Sequence, residues 1–148
     1  MIVWEQRLEY LQYAERILGV RFYDRNAVTW LTSIDSLGSI MGVVVFSRFT
    51  EGNCEVTVAS SDPRFLTKSF LLAAVLYPFV QCDCRRVTAI IAVGNEKSLS
   101  LAQQLGFQTE GVLRNWFSSS DAYILGLLRE SCKWLKESHG QPQRTAST

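Results

Sequence analysis

The sequence predicts an α+β fold built on one mixed, mostly antiparallel sheet. Three observations point to it. First, strand-length apolar segments at 27–34, 40–49 and 55–59 follow one another across tight turns, Asp35-Ser36-Leu37-Gly38 and Glu51-Gly52-Asn53, which reads as a meander. Second, residues 55–105 alternate strand, helix, strand, helix, and such a unit brings its two strands together in parallel. Third, segments 108–117 and 122–128 flank Ser118-Ser119-Ser120-Asp121 and read as a closing hairpin.

Each element has its own warrant. Trp4, Leu8, Leu11, Ala14 and Leu18 recur at helical spacing among Glu5, Arg7, Glu9 and Arg16, so an amphipathic helix is expected to end at Gly19. No strand is expected before it, which leaves one sheet edge short or open to a second copy of the chain. Val28, Trp30 and Ile34 alternate with polar residues across 27–34. Segment 40–49 is almost continuously apolar, as in a strand covered on both faces. Asp62 is a good N-cap and Pro63 suits a first helical turn, so a helix is expected over about 65–77, ended or kinked by Pro78. A strand at 87–93 precedes a helix at about 96–105, closed by Gly106. Residues 130–136 read as a final helical turn and 138–148 as a frayed polar tail, so 1–137 is expected to form one domain.

Composition narrows the function. A net charge of +1 over 148 residues, with scattered basic side chains, gives no reason to expect nucleic acid or an acidic membrane as partner. No apolar run reaches the roughly 18 residues that span a bilayer. Glu5, Arg7 and Glu9 interrupt any leader-like apolar stretch, so a cytoplasmic protein is expected. Cys54, Cys82, Cys84 and Cys132 are then expected to be reduced, small buried side chains. Cys82-x-Cys84 lacks the further ligands a zinc site needs, and the single histidine, His139, lies in the tail, so no metal is expected. The same placement removes any Ser-His-Asp or Cys-His arrangement. Trp4, Trp30 and Trp134 read as core.

The chemistry is expected at the loops that follow the two parallel strands, where open α/β sheets bind ligands. Arg64, Thr67 and Ser69 open one helix, and Asn95 and Ser98 open the other, upstream of Leu105-Gly106-Phe107. Small side chains at 67 and 69 would let an anion approach main-chain N–H groups at a helix N-terminus. Taken singly, Arg64, Thr67 and Ser69 read more simply as first-turn residues of a helix capped by Asp62, and Asn95 as the cap of the helix from 96.

Together, in this order and across residues 28–135, these segments resemble the GNAT N-acetyltransferases. The family's Arg/Gln-x-x-Gly-x-Gly/Ala signature falls on Arg64, Thr67 and Ser69, with both glycines replaced. Its Asn-x-x-Ser/Ala…Gly-Phe block falls on Asn95, Ser98, Gly106 and Phe107. The run Phe107-Gln108-Thr109-Glu110-Gly111 looks like the corresponding segment of the RimJ/RimL-type acetyltransferases, and suggests a bacterial or bacteriophage member.

The resemblance implies a GNAT-like sheet with an acyl-CoA-binding β-α-β-α core and a splayed parallel strand pair. Acetyl-CoA would be the cosubstrate. Val56, Val58 and Ala59 would pair with the pantetheine arm. Arg64, Phe65, Leu66, Thr67, Lys68 and Ser69 would hold the diphosphate, and Asn95 and Ser98 would contact the arm. A tyrosine that many members use to protonate the thiolate is replaced by Ala102, which leaves Ser98 as the implied proton donor. A strand glutamate that deprotonates the amine would be Glu55, whose other reading is a surface strand residue. Glu110 would orient the amine or pair with Arg114. Asp121 and Tyr123 border the acceptor side in this superfamily but read here as turn and packing residues; Trp116 lines a cleft or packs across strands. The implied partner is an amine, on a protein or a small molecule. The rival expectation is a GNAT-fold binding or structural module without transferase activity.

Overall fold

The computed structural model describes residues 1–60, 62–65 and 67–135 and, of Pro63, the backbone alone. Its elements in chain order are β1 (Ile2–Val3), α1 (Leu8–Leu18), β2 (Thr29–Ile34), β3 (Ile40–Thr50), β4 (Asn53–Ala59), α2 (Lys68–Leu76), β5 (Arg86–Ala92), α3 (Glu96–Leu105), β6 (Gln108–Phe117) and β7 (Ser120–Leu128). The seven strands form one sheet in the order β1-β2-β3-β4-β5-β7-β6. Every adjacent pair is antiparallel except β4 and β5. The α+β class, the hairpins and the parallel pair are therefore as the sequence predicts.

The two faces carry different cores. Alternation along the strands sends neighbouring residues to opposite sides. Val43, Val45 and Ala59 pack with Trp30 against Tyr10, Leu11 and Ala14 of α1. Val44, Phe46, Cys54, Val87, Ala89, Leu125 and Leu127 pack on the other face against Phe70 and Val75 of α2 and Ala102 of α3. β3 contributes to both cores, which is why its sequence is apolar without alternation. α1 ends as expected: Gly19 adopts φ 67 and donates its N–H to the Glu15 carbonyl, a left-handed stop that glycine adopts without steric cost.

Four expectations need correction. A first strand exists, but it is only two residues long, pairing Ile2 with Ser33 and Val3 with Thr32. The helix after β4 begins at Lys68 rather than near 65, because Asp62 caps a separate 3₁₀ turn, Pro63–Phe65, by accepting the Arg64 N–H. Thr67 caps α2 instead, its Oγ1 accepting the Phe70 N–H at 3.2 Å. Trp4 is 40% exposed. It lies ahead of α1, not on its buried stripe, and rests on Tyr77 with ring centroids 5.1 Å apart.

Pro78 does end the regular helix. Its missing N–H breaks the α ladder, and the chain continues as a π-helical turn over Tyr77–Gln81. Arg129 pins that turn by donating to the carbonyls of Phe79 and Cys84. Part of the predicted final turn is seen as a 3₁₀ turn, Arg129–Ser131. The predicted tail at 138–148, His139 and Leu66 lie outside the described residues.

Candidate functional site

The parallel pair is short. Register runs from Asn53↔Arg86 to Val56↔Ala89 and stops. Beyond that point Thr57, Val58 and Ala59 pair only with β3, while Ile90, Ile91 and Ala92 pair only with β7. The strands thus part at their C-terminal ends, and the side of β4 that faces β5 carries main-chain groups with no ladder partner. The helices that follow each strand start at the mouth of this gap.

On the α2/α3 face the gap leads into an apolar cleft. Val56 and Val58 of β4, Phe70, Leu71 and Ala74 of α2, and Leu101 and Leu105 of α3 line it, around a free volume of about 50 Å³. That is room for a few waters at most, so anything larger must part α2 from α3. α3 is suited to move: Ala102 is its single fully buried residue. The buried Ala102 also occupies the place where the resemblance would put a tyrosine.

The N-terminus of α2 is partly self-satisfied. Thr67 takes the Phe70 N–H, and the helix offers no acceptor to the N–H groups of Lys68 and Ser69. Arg64 folds back onto Asp62, with Nη2 to Oδ2 at 2.7 Å. These hydrogen bonds from Arg64 hold the Asp62 carboxyl down at about 2. The Phe65 side chain turns inward. It is 3% exposed, packs edge-on to Phe70 with centroids 5.3 Å apart, and lies over Gly42, where an added Cβ would meet its ring at 2.5 Å. Phe65 can therefore offer a ligand only its backbone. Lys68 and Ser69 are exposed, the Lys68 ammonium standing 6.0 Å from the Trp134 ring.

At the second helix, Asn95 Oδ1 accepts the Ser98 N–H at 3.2 Å. The side chain is a cap in this state, leaving its amide N–H₂ free. Ser98 is half-buried, and its hydroxyl has no hydrogen-bond partner among the described residues.

The opposite face holds Glu55. Alternation places Glu55 with Thr57 and Ala59 on the α1 side of β4, one residue before register with β5 ends. Its side chain is 15% exposed and forms an ion pair with Arg48, Oε1 to Nε at 3.2 Å. Burial pushes the carboxyl up, and the Arg48 guanidinium offsets part of that rise. A carboxyl so raised is a better base for a neighbouring ammonium than an exposed one.

Glu110 pairs with Arg86 at 2.8 Å rather than with Arg114. The pair spans β7 above Gly126, where a Cβ would strike both side chains. Asp121 accepts the Asn115 N–H at 2.8 Å and so is a turn residue, and Tyr123 packs against the core. Trp116 is 44% exposed and faces the Arg48 guanidinium at 5.9 Å.

Sequence reasoning missed Arg48. The available signal was a lone cation beside Phe49 at the end of an apolar strand; the bulge that aims it was not readable. Cys54, Cys84 and Cys132 are buried and Cys82 half-buried, and none of the four is in a disulfide. Among the described residues no group of three or more His, Cys, Asp or Glu side chains could hold a metal, and no helix is long and apolar enough to cross a membrane.

No protein-family model matches the chain, and no curated protein matches it in sequence. Solved structures do match its fold. A chimera of the Vibrio cholerae spermidine N-acetyltransferase SpeG and hSSAT superposes with TM-score 0.62 at 22% identity, over 76% of this chain and 73% of that one. A single-residue variant of Vibrio cholerae SpeG gives 0.63 at 19% identity, over 90% and 81%. A dodecameric structure of the same Vibrio cholerae enzyme gives 0.60 at 22%, over 76% and 70%. The seven-stranded mixed sheet, its splayed parallel pair and helices α1 to α3 form a GNAT-like fold.

Proposed function

We propose that this protein is an acyl-CoA-dependent N-acetyltransferase that moves an acetyl group from acetyl-CoA to a primary amine by direct attack. The observation that carries the reading is the parting of β4 from β5 after Val56 and Ala89, with an apolar cleft on one face and a half-buried carboxylate on the other. Acetyl-CoA enters from the α2/α3 side. Its pantetheine arm pairs with the open edge of β4 at Val56, Val58 and Ala59, and its diphosphate meets the residues from Arg64 to Ser69. Arg64 must first leave Asp62.

The amine arrives from the α1 face, where Glu55 removes its proton. It attacks the thioester carbonyl, and a main-chain N–H of β4 steadies the oxyanion. The tetrahedral adduct expels the thiolate, which Ser98 protonates. A GNAT neighbour that acts on spermidine favours a small cationic amine over a protein. A RimJ/RimL-type kinship, a bacterial or phage source, a cytoplasmic setting and one transferase domain over 1–137 belong to the same proposal. So does self-association into a homodimer or larger assembly, given a dodecameric neighbour.

A second reading has its own support. The capped α2 terminus, the Arg64–Asp62 pair and the narrow cleft suit a GNAT-fold module that no longer transfers acyl groups. Thermal unfolding with acetyl-CoA, followed by mass spectrometry of an amine panel, separates the two. A ligand at about 100 times its Kd adds roughly 2.7 kcal/mol, or about 5–10 °C in a chain of this size. A shift with acetylated amine supports the transferase. A shift without product supports a CoA-binding module, and no shift removes the acetyl-CoA site.

A further inference from the structure

Two register breaks in separate strands aim side chains at one point. β3 slips against β4 between Ser47 and Thr50, with Arg48 at φ 50. β6 slips against β7 between Leu113 and Phe117, with Asn115 at φ 54 beside Trp116. A left-handed backbone is uncommon in non-glycine residues, and bulges of this kind re-aim side chains near functional sites. Here the result is a guanidinium held between the Glu55 carboxylate, at 3.2 Å, and the face of the Trp116 ring, at 5.9 Å.

A half-buried carboxylate opposite an indole face is a receptor for a cation: the first supplies charge, the second its quadrupole. Arg48 itself is 66% exposed in its side chain. It reaches in from solvent, and its own charge returns to water when it swings back out, leaving the Glu55 carboxylate for another cation. Glu55 also sits at the point where the strands part, on the face opposite the apolar cleft.

We propose that Arg48 is a built-in stand-in for the acceptor's ammonium group, occupying a cation site made by Glu55 and Trp116 from which an alkylammonium acceptor must displace it. The inference rests on the acetyltransferase reading for the word acceptor; the cation site itself does not. Such a site selects primary ammonium compounds over neutral amines. It also keeps the Glu55 carboxylate paired until a competing cation arrives.

The test is calorimetric titration of n-butylammonium into the wild-type protein, Arg48→Gly and Arg48→Gln, without acetyl-CoA. Glycine suits the left-handed position, so Arg48→Gly keeps the hairpin. Losing the internal competitor is expected to tighten binding about fivefold to thirtyfold, from the usual worth of a partly exposed ion pair plus a cation–π contact. Adding Glu55→Gln or Trp116→Leu to Arg48→Gly is expected to abolish the gain. Equal affinity in wild type and both Arg48 variants, no binding by Arg48→Gly, or a gain that survives both second-site changes would overturn the proposal. Acetyl-CoA binding is measured separately on the same proteins. Its absence would count against the transferase alone, and its presence with no change in ammonium affinity would count against Arg48 alone.

Discussion

Replacing Gly42 by alanine tests whether the loop before α2 is positioned by the core. Gly42 lies on β3, buried beneath Phe65. A Cβ there would stand 2.5, 2.7 and 2.9 Å from three atoms of the Phe65 ring, all inside van der Waals contact. The ring has little room to retreat, since it is almost wholly buried and already packs edge-on to Phe70 with centroids 5.3 Å apart. Either β3 shifts or Phe65 leaves its socket. Exposing a buried phenylalanine costs about 1.5–3 kcal/mol, and overpacking a core costs a similar 1–3 kcal/mol. The expected loss is therefore about 2 kcal/mol, or roughly 4–8 °C in Tm for a chain of this length. Because Phe65 closes the 3₁₀ turn two residues before Thr67, acetyl-CoA affinity should fall with it. Thermal unfolding with and without acetyl-CoA reads both. The double variant Gly42→Ala with Phe65→Leu should recover much of the stability, as coupled neighbours do. A Gly42→Ala protein with wild-type Tm and wild-type acetyl-CoA response would refute the idea that this socket sets the loop.

Three further predictions follow from the site. Ser98→Ala should lower kcat by about a hundredfold, the low end of general-acid contributions, while leaving acetyl-CoA affinity unchanged in a thermal shift. For Glu55, burial raises the carboxyl and Arg48 opposes the rise. Activity should therefore fall as pH drops through a point above the ordinary carboxylate range, and Arg48→Gly should move that acid limb to higher pH; a limb that stays put would separate Glu55 from the proton transfer. The Asp62 carboxyl, held at about 2 by Arg64, is depressed below its unfolded value. Its contribution to stability is thus present above the ordinary Asp range and lost as pH falls toward 2. Carbon-13 titration should find that low midpoint, and Arg64→Ala should return it to the ordinary range.

The strands and helices were readable because their signals are local: apolar runs bounded by Gly, Pro and Asp, and helical spacing in α1. β3 was legible as a doubly covered strand because its apolar residues do not alternate. The parallel pair followed from the β-α-β order alone. What escaped depends on chain segments distant in sequence. Thr67 rather than Asp62 caps α2, because Phe65 is pulled onto Gly42 and the helix starts only at Lys68. Trp4 is exposed because it belongs to the connection between β1 and α1, which spacing cannot distinguish from the helix it precedes. Glu110 finds Arg86 rather than Arg114 because Gly126 leaves a passage across β7. Glu55 was readable as a strand carboxylate, but its partner Arg48 depends on a bulge with no composition signature. The face-by-face division, with Glu55 on one side of the gap and Ser98 at the helix beyond it, emerges only when β4 and β5 are seen to separate.

The central claim is that acetyl-CoA lies in the gap where β4 leaves β5. Backbone ¹H–¹⁵N correlation spectra during an acetyl-CoA titration test it most directly. The account predicts saturable shifts at Thr57, Val58 and Ala59, at Thr67 to Phe70, and at Asn95 to Ser98. Spectra that do not change, or that change only on α1 and β2, would contradict it.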